Sequence, residues 1–188
     1  RPLLPRYVRG LSGGEMSKVR TIDTHTHVLT QETAALLRKE APTVPVTITP
    51  IDEASATLDV GGVAYRPFPR GGFDIEHRLR DMNAAGVDVQ VLSATPQTYL
   101  YNQEAGLGAA TAAIQNDQIA KLVKENPQRF MGIATLPMQA PEKAAGELRR
   151  AITKLGLRGT MIASNIMGKN LDDPSFEPLW ATAEELGA

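Results

Sequence analysis

Apolar and polar positions follow a regular order along most of this 188-residue chain. Apolar runs of strand length are followed by stretches whose apolar residues lie three or four positions apart, which is the helical spacing. Strands are predicted near 21–30, 87–96, 130–138 and 157–164, and helices near 74–86, 105–125, 141–156 and from 173 onward. Strands that alternate with helices indicate βα units on a parallel sheet.

The ends of the predicted helices carry capping residues. Asp74 is a good N-cap, and Gly86 ends the same helix. Asp173 and Pro174 form an N-cap and first-position pair at the start of the last helix. Residues 43–70 differ, because they hold β-branched residues, prolines and a Gly-Gly turn. We predict a small β-excursion there, outside the main sheet.

A parallel sheet of this kind is either doubly wound or closed into a barrel. No Gly-x-Gly-x-x-Gly run follows a predicted strand, so the usual dinucleotide-binding fingerprint is missing. Catalytic groups of barrel enzymes lie at the carboxyl ends of the strands. His25 and His27 lie at that end of the first predicted strand, which favours the barrel.

The segment TIDTHTHVLT, residues 21–30, contains two of the three histidines in the chain. On a strand, positions two apart share a face, so alternation predicts Asp23, His25 and His27 on one face. Two imidazoles that point the same way are half of a metal site, although two polar side chains bonded at a strand end are the simpler alternative. Asp23 is either a carboxylate that orients a ligand or a buried capping group. His77, between Glu76 and Arg78, is expected on a solvated helix face.

The overall composition excludes several classes of function. A formal net charge of −1 and a pI of about 6.4 do not indicate a nucleic-acid or membrane binder. The chain has no cysteine, which excludes disulfides and thiolate metal sites and fits a reducing cytoplasm. No apolar run approaches the roughly 20 residues that span a bilayer. Residues 1–18 are expected to be a disordered extension, and residues 19–188 the folded part.

Several motifs resemble the amidohydrolase-related metal-dependent enzymes, and within them the aminocarboxymuconate semialdehyde decarboxylase branch. These motifs are IDTHTH, MNAAGVDVQVLSATP, NPQRFMGIATLPMQ and GLRGTMIASNIMGKNLDDPSFEPLWATAEELG. The resemblance runs from Val19 to the last residue. It implies a TIM-type (β/α)8 barrel, of which this chain carries about the first four βα units. The α/β class follows from the residues themselves, whereas the closed barrel follows from the resemblance.

The resemblance also implies a metal site. Family members mostly bind one divalent metal, commonly Zn²⁺, and their H-x-H ligands correspond to His25 and His27. The family's third ligand histidine, its catalytic histidine and its metal-binding aspartate stand on strands five, six and eight, and none has a counterpart here. The catalytic residues are therefore expected beyond Ala188. We expect the chain to be part of a larger enzyme and to be inactive alone.

In the decarboxylases that the chain resembles, an arginine from the excursion holds a substrate carboxylate, and Arg66 in AYRPF resembles that position. An exposed loop arginine with no such role is the alternative. The expected function is a metal-dependent decarboxylase acting on an unsaturated or aromatic-derived carboxylic acid. A hydrolase or hydratase of the same superfamily and a truncated non-catalytic paralogue are the alternatives. Members of the family often dimerise, which makes a homodimer a candidate assembly.

Overall fold

The structure is a computed structural model that describes residues 19–41 and 43–188, so the predicted extension at 1–18 lies outside the described residues. The strands are β1 (Ile22–Val28), β2 (Val46–Pro50), β3 (Ser55–Val60), β4 (Val63–Pro69), β5 (Val89–Ala94), β6 (Phe130–Gly132), β7 (Asn165–Ile166) and β8 (Lys169–Asn170). The helices are α1 (Gln31–Glu40), α2 (Ile75–Ala85), α3 (Ala105–Glu125), α4 (Pro141–Thr153) and α5 (Glu177–Leu186).

The main sheet is parallel and has the order β1–β5–β6. The predicted strand at 157–164 contributes a single parallel bridge, from Thr160 to Ala134, which follows β6. The class is therefore α/β as predicted, but the four predicted βα units appear as three strands and one bridge. Three backbone hydrogen bonds join this segment to the end of β6 and the residues after it: Arg158 N–H to Gly132, Ala134 N–H to Gly159 and Met161 N–H to Ala134. The segment therefore lies beside β6 in parallel, with a ladder only long enough for one bridge.

Helices α2, α3, α4 and α5 belong to the same unit as this sheet. The predicted caps bound α2, whereas Asp173 and Pro174 open a short 3-10 turn, Pro174–Phe176, and α5 begins after that turn at Glu177. The Asp74 carboxylate accepts a hydrogen bond from the His77 backbone N–H at 2.9 Å, and Gly86 ends α2 with φ at 68°. Such a left-handed residue closes a helix at little cost when it is glycine. The most buried side chains of the main core come from β5, the segment after β6, α4 and α5: Leu92, Ala134, Met138, Ala144, Leu148, Ala151 and Leu179.

The excursion forms a second, smaller sheet with its own core. Strands β2, β3 and β4 are antiparallel in that order, and α1 packs beside them through Leu37. Leu58 is fully buried in this second core. The backbone N–H of Leu29 donates to the Gly72 carbonyl at 2.7 Å, which ties the end of β1 to the turn that follows the excursion. The excursion is thereby held next to the carboxyl end of β1.

No helix of the part of the chain that the structure describes is long and apolar enough to cross a membrane.

Candidate metal centre and adjoining clefts

His25 and His27 lie near the carboxyl end of β1, and their rings are close together. The ring centroids are 4.9 Å apart and the ring planes meet at 83°. His25 is exposed, whereas His27 is half-buried. Among residues 19–41 and 43–188, no cluster of three or more His, Asp or Glu side chains is placed to hold a metal. The structure therefore brings together the two predicted ligands, and their metal-binding role stays a prediction.

The hydrogen bonds of His27 fix which ring nitrogen carries the proton. Ser93 on β5 donates its hydroxyl hydrogen to the Thr26 carbonyl at 2.8 Å, so its oxygen accepts from His27 Nδ1 at 2.9 Å. The Ala94 carbonyl, 3.2 Å from Nδ1, can also only accept. We therefore place the proton on Nδ1, which leaves the lone pair of Nε2 available. A metal-binding histidine usually donates its other N–H to an oxygen in this way.

This tautomer can be measured directly. In the metal-free protein, long-range ¹⁵N–¹H NMR correlations at neutral pH should show His27 protonated on Nδ1 and unprotonated on Nε2. The exposed His25 serves as an internal comparison, because no hydrogen bond from a described residue to its ring selects a tautomer. A His27 ring protonated on Nε2 would contradict the hydrogen-bond assignment and remove its support for metal binding.

The surroundings of His27 favour its neutral form. Burial lowers the pKa of His27 below its ordinary value, and the nearby His25 and Arg78 lower it further. The hydrogen bond with the Ala94 carbonyl opposes this shift. Because only a neutral imidazole has a lone pair to give a metal, these effects agree with the role predicted for His27.

Asp23 does not follow the simple alternation of the strand. β1 pairs Asp23 with Gln90 and Thr26 with Leu92, so β1 has one more residue than β5 between these pairs. An extra residue shifts by one position the alternation of side chains between the two faces of the sheet. Asp23 therefore lies on the same face as Thr26 rather than on that of the histidines. The prediction that Asp23 shares their face is wrong for this reason. Its carboxylate accepts from the His25 backbone N–H at 3.2 Å and from Gln90 Nε2 at 3.1 Å.

Arg78 of α2 is a residue that the sequence reasoning missed. Its side chain is buried, with 6 % of the residue exposed, and it donates hydrogen bonds to Gly71, Gln90 and His27. Burial lowers its pKa to about 10, and the charges of Asp23 and Asp81 oppose that shift. A usable signal was present, because position 78 lies on the apolar stripe of α2 between Ile75 and Met82.

A cleft of about 370 Å³ opens beside the two histidines. This volume lies within the range of about 300–1,000 Å³ that is typical of small-molecule sites. The lining comes from β1, the end of the excursion, α2 and the segment after β5, and includes His25, His27, Tyr65, Pro67, Phe68, Arg78, Pro96 and Gln97. The excursion thus supplies aromatic and proline walls to a cleft that has imidazoles at one side.

Arg66 stands at the edge of this cleft but does not line it. Its neighbours Tyr65 and Pro67 on β4 are lining residues, whereas the Arg66 side chain is exposed. Among the described residues we find no hydrogen bond or ion pair that holds its guanidinium. Arg66 therefore lies next to the predicted site, and its guanidinium is not paired with any described residue.

A second cleft, of about 500 Å³, also borders both histidines. Tyr99 and Tyr101 line it, with their ring centroids 5.4 Å apart. Burial raises the pKa of Tyr99 to about 12, so this phenol is neutral near pH 7. The histidine pair therefore lies where two clefts meet.

Residues 22–188 match the sequence model of the Amidohydrolase family, Amidohydro_2. The chain belongs to this family. A 2-amino-3-carboxymuconate-6-semialdehyde decarboxylase from Dictyostelium discoideum is 39% identical over 167 residues, covering 89% of this chain and 46% of that protein. The chain therefore spans about half the length of the curated relatives it matches. These similarities confirm the predicted superfamily and its decarboxylase branch.

Solved structures of decarboxylases resemble the chain as well. The 5-carboxyvanillate decarboxylase LigW from Sphingomonas paucimobilis has a TM-score of 0.69 at 30% identity, with 89% of this chain and 50% of that chain covered. A 5-carboxyvanillate decarboxylase from Novosphingobium aromaticivorans, in complex with manganese and 4-hydroxy-3-methoxy-5-nitrobenzoic acid, has a TM-score of 0.70 at 26% identity. In that match 93% of this chain and 50% of the other are covered.

Proposed function

We propose that this amidohydrolase-family chain supplies part of the active site of a metal-dependent decarboxylase, whose substrate is an unsaturated or aromatic carboxylic acid. The observation that carries the proposal is the adjacent pair His25 and His27, which opens onto a cleft of small-molecule size. The similarity to the Dictyostelium discoideum decarboxylase at 39% identity supports the reaction class.

The two imidazoles fit a divalent metal. Nε2 of His27 is free to bind because Nδ1 donates to protein oxygens, and His25 is exposed beside it. A metal bound there would supply a Lewis acid that polarises substrate oxygen atoms. We propose Zn²⁺, although manganese is bound in a related decarboxylase. The remaining ligands of such a site are not found among the described residues.

The cleft and Arg66 fit the substrate proposed here. Tyr65, Phe68 and the prolines give apolar walls against which a flat acid can pack. An arginine fork pairs with a carboxylate through two charge-assisted hydrogen bonds, and the Arg66 guanidinium has no competing partner among the described residues. We propose that Arg66 orients the substrate carboxylate. The proton-transfer residues, a homodimeric assembly and a cytoplasmic location stay predictions.

The experiment that tests this function measures released carbon dioxide. The full-length protein that contains this chain, loaded with Zn²⁺ or Mn²⁺, is incubated with 2-amino-3-carboxymuconate-6-semialdehyde, 2,6-dihydroxybenzoate and 5-carboxyvanillate. We expect one equivalent of carbon dioxide per molecule of one acid consumed, with activity lost after chelation and restored by metal. Consumption with uptake of water and no carbon dioxide would indicate a hydrolase or hydratase. No turnover by the metal-loaded protein would indicate a non-catalytic paralogue.

A further inference from the structure

The backbone that carries the two histidines is irregular. The pairing of β1 with β5 shifts by one residue between Asp23 and Thr26, so the extra residue lies immediately before or at His25. A bulge of this kind redirects side chains and interrupts the regular ladder of backbone hydrogen bonds. Contacts other than the regular strand ladder must therefore hold this part of the backbone and set the positions of the His25 and His27 rings.

Arg78 is bonded to the backbone of one of these histidines. Its Nη2 donates to the His27 carbonyl, and its Nε donates to the Gly71 carbonyl at 2.7 Å. One guanidinium thus joins the end of β1 to the turn that follows the excursion. The planar fork of an arginine can hold acceptors from separate segments at fixed angles, which a lysine ammonium cannot do.

A second branch of the same network reaches the other histidine. Arg78 Nη1 donates to Gln90 Oε1 at 2.9 Å, and Gln90 Nε2 donates to Asp23 Oδ2 at 3.1 Å. The other oxygen of that carboxylate accepts the backbone N–H of His25 at 3.2 Å. The network therefore contacts the backbone of both predicted ligands, on either side of Thr26.

The guanidinium of Arg78 is a buried charge held by neutral acceptors. Among the described residues, no carboxylate forms an ion pair with it, although Asp23 is linked to it through the Gln90 amide. Burying a cation costs free energy unless its donors are satisfied. A hydrophobic side chain would fill the same position of α2 at a lower free-energy cost. The buried charge and the planar guanidinium therefore indicate a specific role for Arg78.

We propose that Arg78 is the positioning residue of the metal site: it holds the bulged strand so that the His25 and His27 rings are set for one metal ion. Gln90 and Asp23 extend its action from His27 to His25. This inference rests on the proposed metal site. It assigns to Arg78 a role in metal affinity through the backbone, without contact to the metal.

The test compares Arg78→Met with Arg80→Met, an exposed arginine on the same helix, in the full-length protein. Zn²⁺ affinity is measured by competition with a chromophoric chelator, the Co²⁺-loaded protein is examined by visible absorption, and thermal unfolding is followed in parallel. Loss of groups that orient metal ligands typically weakens metal binding about 10- to 100-fold. We expect that loss and an altered Co²⁺ spectrum for Arg78→Met, and neither for Arg80→Met. Unchanged affinity and spectrum in a folded Arg78→Met protein would overturn the proposal, whatever its thermal stability.

A second variant covers the case in which Arg78→Met does not fold. Gln90→Met keeps the buried guanidinium and its bonds to Gly71 and His27 but cuts the link to Asp23. We expect weaker Zn²⁺ binding and an altered Co²⁺ spectrum, and wild-type values in both would overturn the inference. If the wild-type protein itself binds no equivalent of metal, the proposed function fails. If it binds metal and both network variants bind it equally well, the positioning role alone fails.

Discussion

The double variant His25→Ala/His27→Ala should lose stoichiometric metal binding in the full-length protein. Structural zinc sites with four ligands bind the metal with a free energy of about 10–16 kcal/mol. If two of the four ligands supply roughly half of that free energy, their loss weakens metal affinity on the order of 10⁴-fold or more. The measurement is metal content by mass spectrometry after dialysis against a weak chelator. We expect about one equivalent in the wild type and close to none in the double variant.

His77→Ala is the matched control, because it removes the third histidine of the chain. That residue sits on α2, with Nδ1 3.3 Å from Arg80 and Nε2 3.6 Å from Asp81, and it lines neither cleft beside the histidine pair. We expect full metal content. The single variant His25→Ala separates ligand loss from unfolding, since the exposed His25 ring has little packing to lose. A double variant that retains a full equivalent of metal would show that the histidine pair is not the metal site.

Local signals in the sequence were enough to place α2 and α3. The predicted helix at 105–125 is observed as α3, Ala105–Glu125, and the Asp74 and Gly86 caps bound α2 as expected. These elements are well predicted because a cap and an apolar stripe act within a few residues of each other. The predicted strand at 130–138 is observed only as Phe130–Gly132, since strand length depends on partners from elsewhere in the chain.

The sequence predicted the pair His25 and His27 but not the hydrogen-bond network that holds their backbone. His25 and His27 are two residues apart, so one strand is enough to place their rings near each other. The network depends on Arg78 meeting carbonyls 7 and 51 positions away, which no local pattern reports. The bulge is also hidden, because a strand with one extra residue has the same sequence pattern as a regular one until its partner is known. Asp23 was misplaced for that reason.

Arg66→Met should reduce kcat/KM for the acid that releases carbon dioxide. Arg66 is exposed and its charge is free of partners among the described residues, so the variant should fold normally. Truncating one member of a hydrogen-bonded charge pair in an interface costs about 2–5 kcal/mol, and a value near 3 kcal/mol corresponds to roughly 100-fold in kcat/KM. Arg66→Lys should recover part of this loss, because it restores the charge but not the two-bond fork.

The decarboxylated product provides the decisive comparison, since it lacks the carboxylate that Arg66 is proposed to hold. Its inhibition constant should be nearly the same in the wild type and in Arg66→Met, while kcat/KM for the acid falls. Arg38→Met, which removes an exposed arginine of α1 outside both clefts, should leave both quantities unchanged. If Arg66→Met weakens product binding as much as it lowers kcat/KM, then Arg66 shapes the cleft in general. The carboxylate would in that case be held by another cation.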